Sequence, residues 1–211
     1  VHPFPGSSMP LATLGVFILW LGWVGFNGAS QLAMGTISDV TDVSKIFVNT
    51  NMAACAGVVI AIAYTQIRYG KIDLTMALNG ALAGLVAITA EPLTPSVPVS
   101  MLVGAIGSLL AMLTVPLLDK FKIDDVVGAI PVHLVAGIFG TLAVAFTNKE
   151  VNFMPQLIGV VAIGAFVVIT SAIIWTALKL TIGIRVSEQA EADGLDHAEV
   201  GIASYPEFVN N

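Results

Sequence analysis

An all-α, polytopic membrane helix bundle is the architecture this chain encodes, and three features of the sequence say so. Charged residues make up 10% of its 211 residues and hydrophobic ones 56%, whereas a soluble domain carries roughly 25% charged residues to cover its surface. The mean hydropathy is +0.91. Six uncharged runs approach the ~20 residues that take a helix across a hydrocarbon core of about 30 Å.

The runs cover residues 9–34, 46–67, 74–90, 97–118, 126–146 and 154–178. Ser8 and Pro10 open the first, Ser44 the second, Asp73 the third and Pro155 the sixth, all residues that favour a helix N-terminus. The third run is short and stops at Glu91-Pro92, with Pro95 and Pro98 following, so it is expected to end short of the interface or to tilt little. Small residues recur at packing intervals: Gly22, Gly25 and Gly28 in the first run, Gly80 and Gly84 in the third, Gly104 and Gly107 in the fourth, Gly137 and Gly140 in the fifth. Such spacing lets helix backbones approach closely and is ordinary in membrane bundles.

With six crossings, the connectors after the second and fourth runs share a side with the C-terminal tail. That side carries Arg68, Lys71, Lys120, Lys122, Lys179 and Arg185, whereas the other holds only Lys45 and Lys149. The excess places the tail in the cytoplasm. The first run then leads outward and brings Phe26 to Ser30 near the external face; the fifth leads outward from Asp125. Two regions follow, a membrane domain at 1–185 and an acidic tail at 186–211. The tail holds Glu188, Glu191, Asp193, Asp196, Glu199 and Glu207 with no Lys or Arg, a solvated segment with room for short ordered pieces. The chain opens with Val-His-Pro-Phe-Pro, without Met or a basic signal region, and reads as a cut end.

Composition also excludes. A net charge of −6 and the lack of a Lys/Arg cluster argue against nucleic acid. Cys55 is the single cysteine, so neither a disulfide framework nor a multi-cysteine metal site forms within one chain. No second ligand stands at metal spacing from His133, and His2 and His197 are terminal. No nucleophile with its base, and no phosphate-cradling glycine loop, is visible. Neither enzyme activity nor a cofactor is expected.

A few side chains could carry chemistry. His133 is the only histidine within a run, where an imidazole is costly unless it faces protein, water or a ligand. It suits holding a small polar substrate or relaying a proton; the other reading is a bond to a neighbouring helix. Pro131 removes a backbone donor two residues earlier and can bend the helix. Trp23, Phe26 and Ser30 stand at i, i+3 and i+7, one helical face. That stripe can receive a small cation by cation–π attraction of roughly 0.5–2 kcal/mol plus a hydroxyl lone pair, or can be an interfacial aromatic belt with a helix-bonded serine. Asn49, Thr50 and Asn51 are expected to bond neighbouring helices. Asp124 and Asp125 precede the fifth run, where carboxylates cap a helix N-terminus.

The segment Gly22-Trp23-Val24-Gly25-Phe26-Asn27-Gly28-Ala29-Ser30 resembles the opening of the second half of ammonium transporters of the Amt/Mep/Rh family. Residues 73–86, Asp-Leu-Thr-Met-Ala-Leu-Asn-Gly-Ala-Leu-Ala-Gly-Leu-Val, are similar to another helix of that family, as are residues 124–133, Asp-Asp-Val-Val-Gly-Ala-Ile-Pro-Val-His. Matches continue into the tail at Gly183-Ile184-Arg185-Val186 and Gly194-Leu195-Asp196. The resemblance implies an eleven-helix fold in homotrimers, with two inverted five-helix repeats around a pore in each subunit. This chain would supply helices six to eleven, the second half of that fold. Phe26 would be one of the stacked phenylalanines at the external pore, Ser30 the hydroxyl of the external recruitment site, His133 one of the paired pore histidines, and Trp23 part of the lumen. Ammonium/ammonia is the implied substrate, membrane lipid the surroundings, the plasma (inner) membrane the location, and a cytosolic PII-type regulator a partner of the tail, although Ala198-Glu199-Val200-Gly201-Ile202 departs from the usual tail pattern. A Rhesus-like ammonia channel and a transporter-like ammonium sensor are the alternatives.

Overall fold

The computed structural model describes residues 6–206; His2 and Glu207, singled out above, lie outside the described residues. The described chain is helical, and among the described residues no β-strand occurs. Helix α1 runs over Met9–Ala29, α2 over Ile37–Tyr69, α3 over Leu74–Thr89 and α4 over Val97–Phe121. A π-helical segment, Ile130–Val135, leads into α5, Ala136–Thr147; α6 spans Phe153–Thr181 and α7 is the short Glu188–Asp193. Five of these stretches are long and apolar enough to cross a membrane: α1, α2, α4, the joined residues Ile130–Thr147, and α6. The expected third span is the exception. At 16 residues α3 rises only about 24 Å, because Glu91-Pro92 ends it.

Local chemistry sets the helix ends. Ser8 Oγ accepts from Leu11 N–H and Asp73 accepts from Met76 N–H, so both caps fall where the sequence put them. The second helix differs. It starts at Ile37 instead of near Ser44, since Thr36 and Asp39 form a reciprocal capping box, with Asp39 N–H to Thr36 Oγ1 at 3.1 Å and Thr36 N–H to Asp39 Oδ2 at 2.9 Å. Reading uncharged runs alone cut off this charged first turn. Gly70, at φ +74°, closes the same helix. Helix α1 stops at Ala29, five residues before the end of its apolar run, with Ser30 as C-cap.

Up to Val160 the chain forms one compact unit, and from Val161 a second. In the first, α2, α3 and α4 pack so tightly that a Cβ on Gly57 would lie 2.2 Å from Gly80 O, and one on Gly84 or Gly104 would lie 2.4 or 2.2 Å from Ala53 O. Small residues therefore replace the large apolar knobs of a soluble core, and close backbone contact supplies the dispersion energy that water exclusion cannot supply in lipid. Ala61, Ala83, Ala111, Met112, Val132 and Ala136 make up the core beside these contacts. Ser108 Oγ donates to Gly57 O at 2.8 Å across the same interface. Gly22 and Gly25 behave otherwise: a Cβ there would meet nothing within 4 Å, and of that trio only Gly28 packs, against Phe47. The pair lies on an uncovered face of α1.

In the second unit, no residue along α6 is buried. Ser187 caps α7, and Arg185 holds Glu191 through Nε at 3.0 Å and Nη2 at 2.7 Å. Asp196 turns the chain by accepting from His197 N–H and Ser204 N–H at 2.9 and 2.8 Å. The acidic tail thus holds ordered pieces.

Candidate functional site

On α1 the i, i+3 spacing brings Trp23 and Phe26 into edge-to-face contact, centroids 6.4 Å apart at 73°. Trp23 also lies nearly parallel to the imidazole of His133, 6.3 Å away at 20°. The structure therefore joins two candidates that sit 110 residues apart in the chain. The indole N–H is already committed: Trp23 Nε1 donates to Thr89 Oγ1 at 2.7 Å, and that hydroxyl donates to Leu85 O at 2.7 Å. With its N–H tied to α3, Trp23 offers neighbours only ring faces and edges.

Phe26 is 63% exposed, and His133 is exposed as well. Ser30 ends the same helix, also exposed, with its Oγ 3.4 Å from Phe26 O as donor. That bond leaves the hydroxyl lone pairs facing outward as acceptors. Trp23, Phe26 and Ser30 thus line one edge of α1, and His133 continues it at the level of Trp23.

His133 gains its place from an irregular start to the fifth span. The helix begins at Ile130 and not at 126, and its first turn is π-helical. Four residues build that start. Asp125 accepts from Gly128 N–H and Ala129 N–H through Oδ1 at 3.1 and 2.8 Å, and from Ile130 N–H through Oδ2 at 2.8 Å. Gly128 sits at φ +81°, where a Cβ would come within 2.8 Å of Asn79 Nδ2. Asn79 Nδ2 in turn donates to Val127 O at 3.1 Å. Pro131 is fully buried and contributes no N–H, which favours the widened turn. Among the described residues no hydrogen bond reaches Asp124, so the expected carboxylate pair narrows to Asp125, which alone serves the three N–H groups.

Asn49, Thr50 and Asn51 all bond other segments: Asn49 Nδ2 to Pro92 O and Pro95 O at 2.9 Å each, Thr50 to Asn27, and Asn51 Oδ1 to Trp20 Nε1 at 3.1 Å. Sequence reasoning missed Asn27 as the partner of Thr50, Trp20 as that of Asn51, and Thr89 as that of Trp23. The available signal was polarity out of place, a threonine ending an apolar helix and an asparagine amid glycines. An open groove of about 510 Å³ lies elsewhere, lined by Thr41, Lys45, Asn49, Leu93 and Ser96 among others, and includes none of the aromatic-imidazole residues. Among the described residues no group of three His, Cys, Asp or Glu could hold a metal ion.

Comparison with known proteins adds a family. The Ammonium Transporter Family matches residues 2–205. Ammonium transporter Amt2 of Archaeoglobus fulgidus is 40% identical over 97% of this chain and 47% of its own length. Among solved structures, one described as a Sensor Amt Protein superposes with a TM-score of 0.85 at 33% identity, covering 92% of this chain and 49% of that one. Mep2 of Candida albicans superposes with a TM-score of 0.79 at 25% identity, covering 90% and 45%. The chain spans about half the length of the curated relatives it matches.

Proposed function

Because this chain belongs to the ammonium transporter family, we propose that it forms one wall of a path carrying ammonium or ammonia across the membrane. The observation that carries the proposal is the continuous line from Phe26 through Trp23 to His133, with both ends exposed. A cation arriving at the end of α1 meets the Ser30 lone pairs and the Phe26 ring, an attraction of roughly 0.5–2 kcal/mol for the aromatic part. Further in, the lining is aromatic and hydrocarbon, where an ion pays heavily for lost hydration and a neutral amine does not. Ammonium therefore gives up its proton to water at the open end of the path, before the level of Trp23, and ammonia proceeds. His133 then offers one ring nitrogen as donor or acceptor to the neutral species, and Trp23, held by Thr89, keeps the imidazole plane.

The opposite wall comes from the other inverted repeat of the family fold, with α1 to α6 here as helices six to eleven of each subunit of a homotrimer. The membrane domain extends to 185 and the tail from 186. The excess of Lys and Arg on one side supports a cytoplasmic C-terminus in the plasma (inner) membrane, within reach of a PII-type regulator. Catalysis plays no part in this function. Uptake of methylammonium and ammonium-evoked current in proteoliposomes test the proposal, comparing this chain alone with one carrying an added N-terminal repeat. Activity only in the longer chain supports a shared path; saturable uptake by the 211 residues alone refutes it. In the longer chain His133→Ala lowers flux or alters selectivity, and unchanged behaviour would remove His133 from the path.

Likeness to the Sensor Amt Protein favours a second reading, a transporter-like bundle that binds ammonium and signals. Saturable binding without uptake would select it.

A further inference from the structure

Asn27 is 0% exposed, one residue from Phe26, and its partner Thr50 on α2 is 0% exposed too. Asn27 Nδ2 donates to Thr50 Oγ1 at 3.1 Å, and Asn27 Oδ1 has no hydrogen-bond partner. The Thr50 hydroxyl proton donates to no group among the described residues. Turning the amide over does not resolve this: Thr50 would then donate to the carbonyl and the NH₂ would be left over. Either way the pair keeps one buried polar atom unserved, which costs ~1–3 kcal/mol when left so. In the orientation observed, the unused acceptor and the unused hydroxyl proton match the two faces of one water molecule. The adjacent Gly28 packs against Phe47, where a Cβ would lie 2.2 Å from Cε1, so α1 and α2 meet closely beside the pair.

We propose that Asn27 and Thr50 hold one buried water between α1 and α2, and that this bridge positions Phe26 and Ser30. The sequence places Phe26 directly before Asn27 and Ser30 three residues after it, in the last turn of α1. That turn has no other side-chain hydrogen bond to α2; Trp20–Asn51 lies two turns away. Loosening the bridge therefore moves the presenting turn and leaves the Trp23–His133 contact, held separately by Thr89, in place. The inference rests on the reading of Phe26 and Ser30 as the recruitment end.

The test is a structure of the complete natural protein at a resolution that shows ordered water, with and without ammonium salt, together with methylammonium uptake. Density bonded to both Asn27 and Thr50 in both conditions is expected; an unoccupied site, or density only with ammonium, overturns the proposal. Thr50→Val is expected to raise the half-saturation concentration about fivefold with the maximal rate held within about twofold, and Thr50→Ser to restore it. Asn27→Leu added to Thr50→Val should cost no more than either alone. Unchanged half-saturation in Thr50→Val, or additive losses, overturns the positioning role. Ser30→Ala separates the two readings: if it raises half-saturation while Thr50→Val does not, only this inference fails, and if it is inert the recruitment reading fails and the positioning claim with it.

Discussion

Replacing Thr89 by Val removes one oxygen and keeps the shape, which makes it a sharp probe of the contact beneath His133. The hydroxyl accepts the indole N–H of Trp23 at 2.7 Å and donates to Leu85 O at 2.7 Å. Its loss strands a half-buried indole donor. A net hydrogen bond is worth ~1 kcal/mol and an orphaned buried donor costs ~1–3 kcal/mol; partial exposure of Trp23 favours the lower range, about 1–2 kcal/mol. Leu85 O keeps its helical bond, so little is added from that side. In a Trp23→Phe background there is no N–H to strand, and Thr89→Val should then cost less than about half as much. Equilibrium unfolding of the detergent-solubilised complete protein measures the four stabilities of the cycle, and uptake reports whether the freed indole disturbs the path. Coupling of about 0.5 kcal/mol or more is expected. Additive losses would show that the bond does not hold Trp23, and the account of how the imidazole is oriented would fall with it.

Other outcomes follow from the same geometry. Gly84→Val would force a Cβ to 2.4 Å from Ala53 O and should cost about 3 kcal/mol or more; a thermal-stability assay on purified protein that finds no shift would contradict the packing. Asp125→Asn keeps the shape but weakens the acceptor of three N–H groups, for a loss of about 1–2 kcal/mol, whereas Asp124→Asn should stay within about 0.5 kcal/mol; equal losses in unfolding midpoints would refute the single-carboxylate cap. In the tail, the Ser204 N–H and then the His197 N–H hold the Asp196 carboxyl below its ordinary value of 3.8. The depressed folded value means the turn is supported above the ordinary value and loses that support as pH falls through the folded value. Protection of the Ser204 amide, the exchange rate taken relative to the intrinsic rate at each pH, should fall under acid and be lower at neutral pH in Asp196→Asn, and unchanged protection in that variant would contradict the turn.

Much of the candidate site on α1 was legible in the chain, because helical periodicity alone puts Trp23, Phe26 and Ser30 on one face, and scarcity of charge alone demands a membrane. The capping residues Ser8 and Asp73 were readable for the same reason, since a cap acts within one turn. What failed to show were the places where a distant segment decides. The start of α2 at Ile37 was hidden by a search for uncharged runs, and the late start of the fifth span depends on Gly128 meeting Asn79, 49 residues away. Gly22 and Gly25 stand at a helix-packing interval just as Gly80 and Gly84 do, yet only the latter pair meets another backbone, because spacing records what a helix can pack against and not whether a neighbour is there.

The sequence by itself determined the helices, the membrane, and the identity of the aromatic and imidazole groups, all of which follow from residue type and local period. Only the tertiary structure decided that the indole of Trp23 stacks on His133, that its N–H belongs to Thr89, and that Asn27 and Thr50 close on each other. Those are contacts between helices remote in the chain, set by how closely glycine and alanine allow backbones to approach, a distance no local pattern contains.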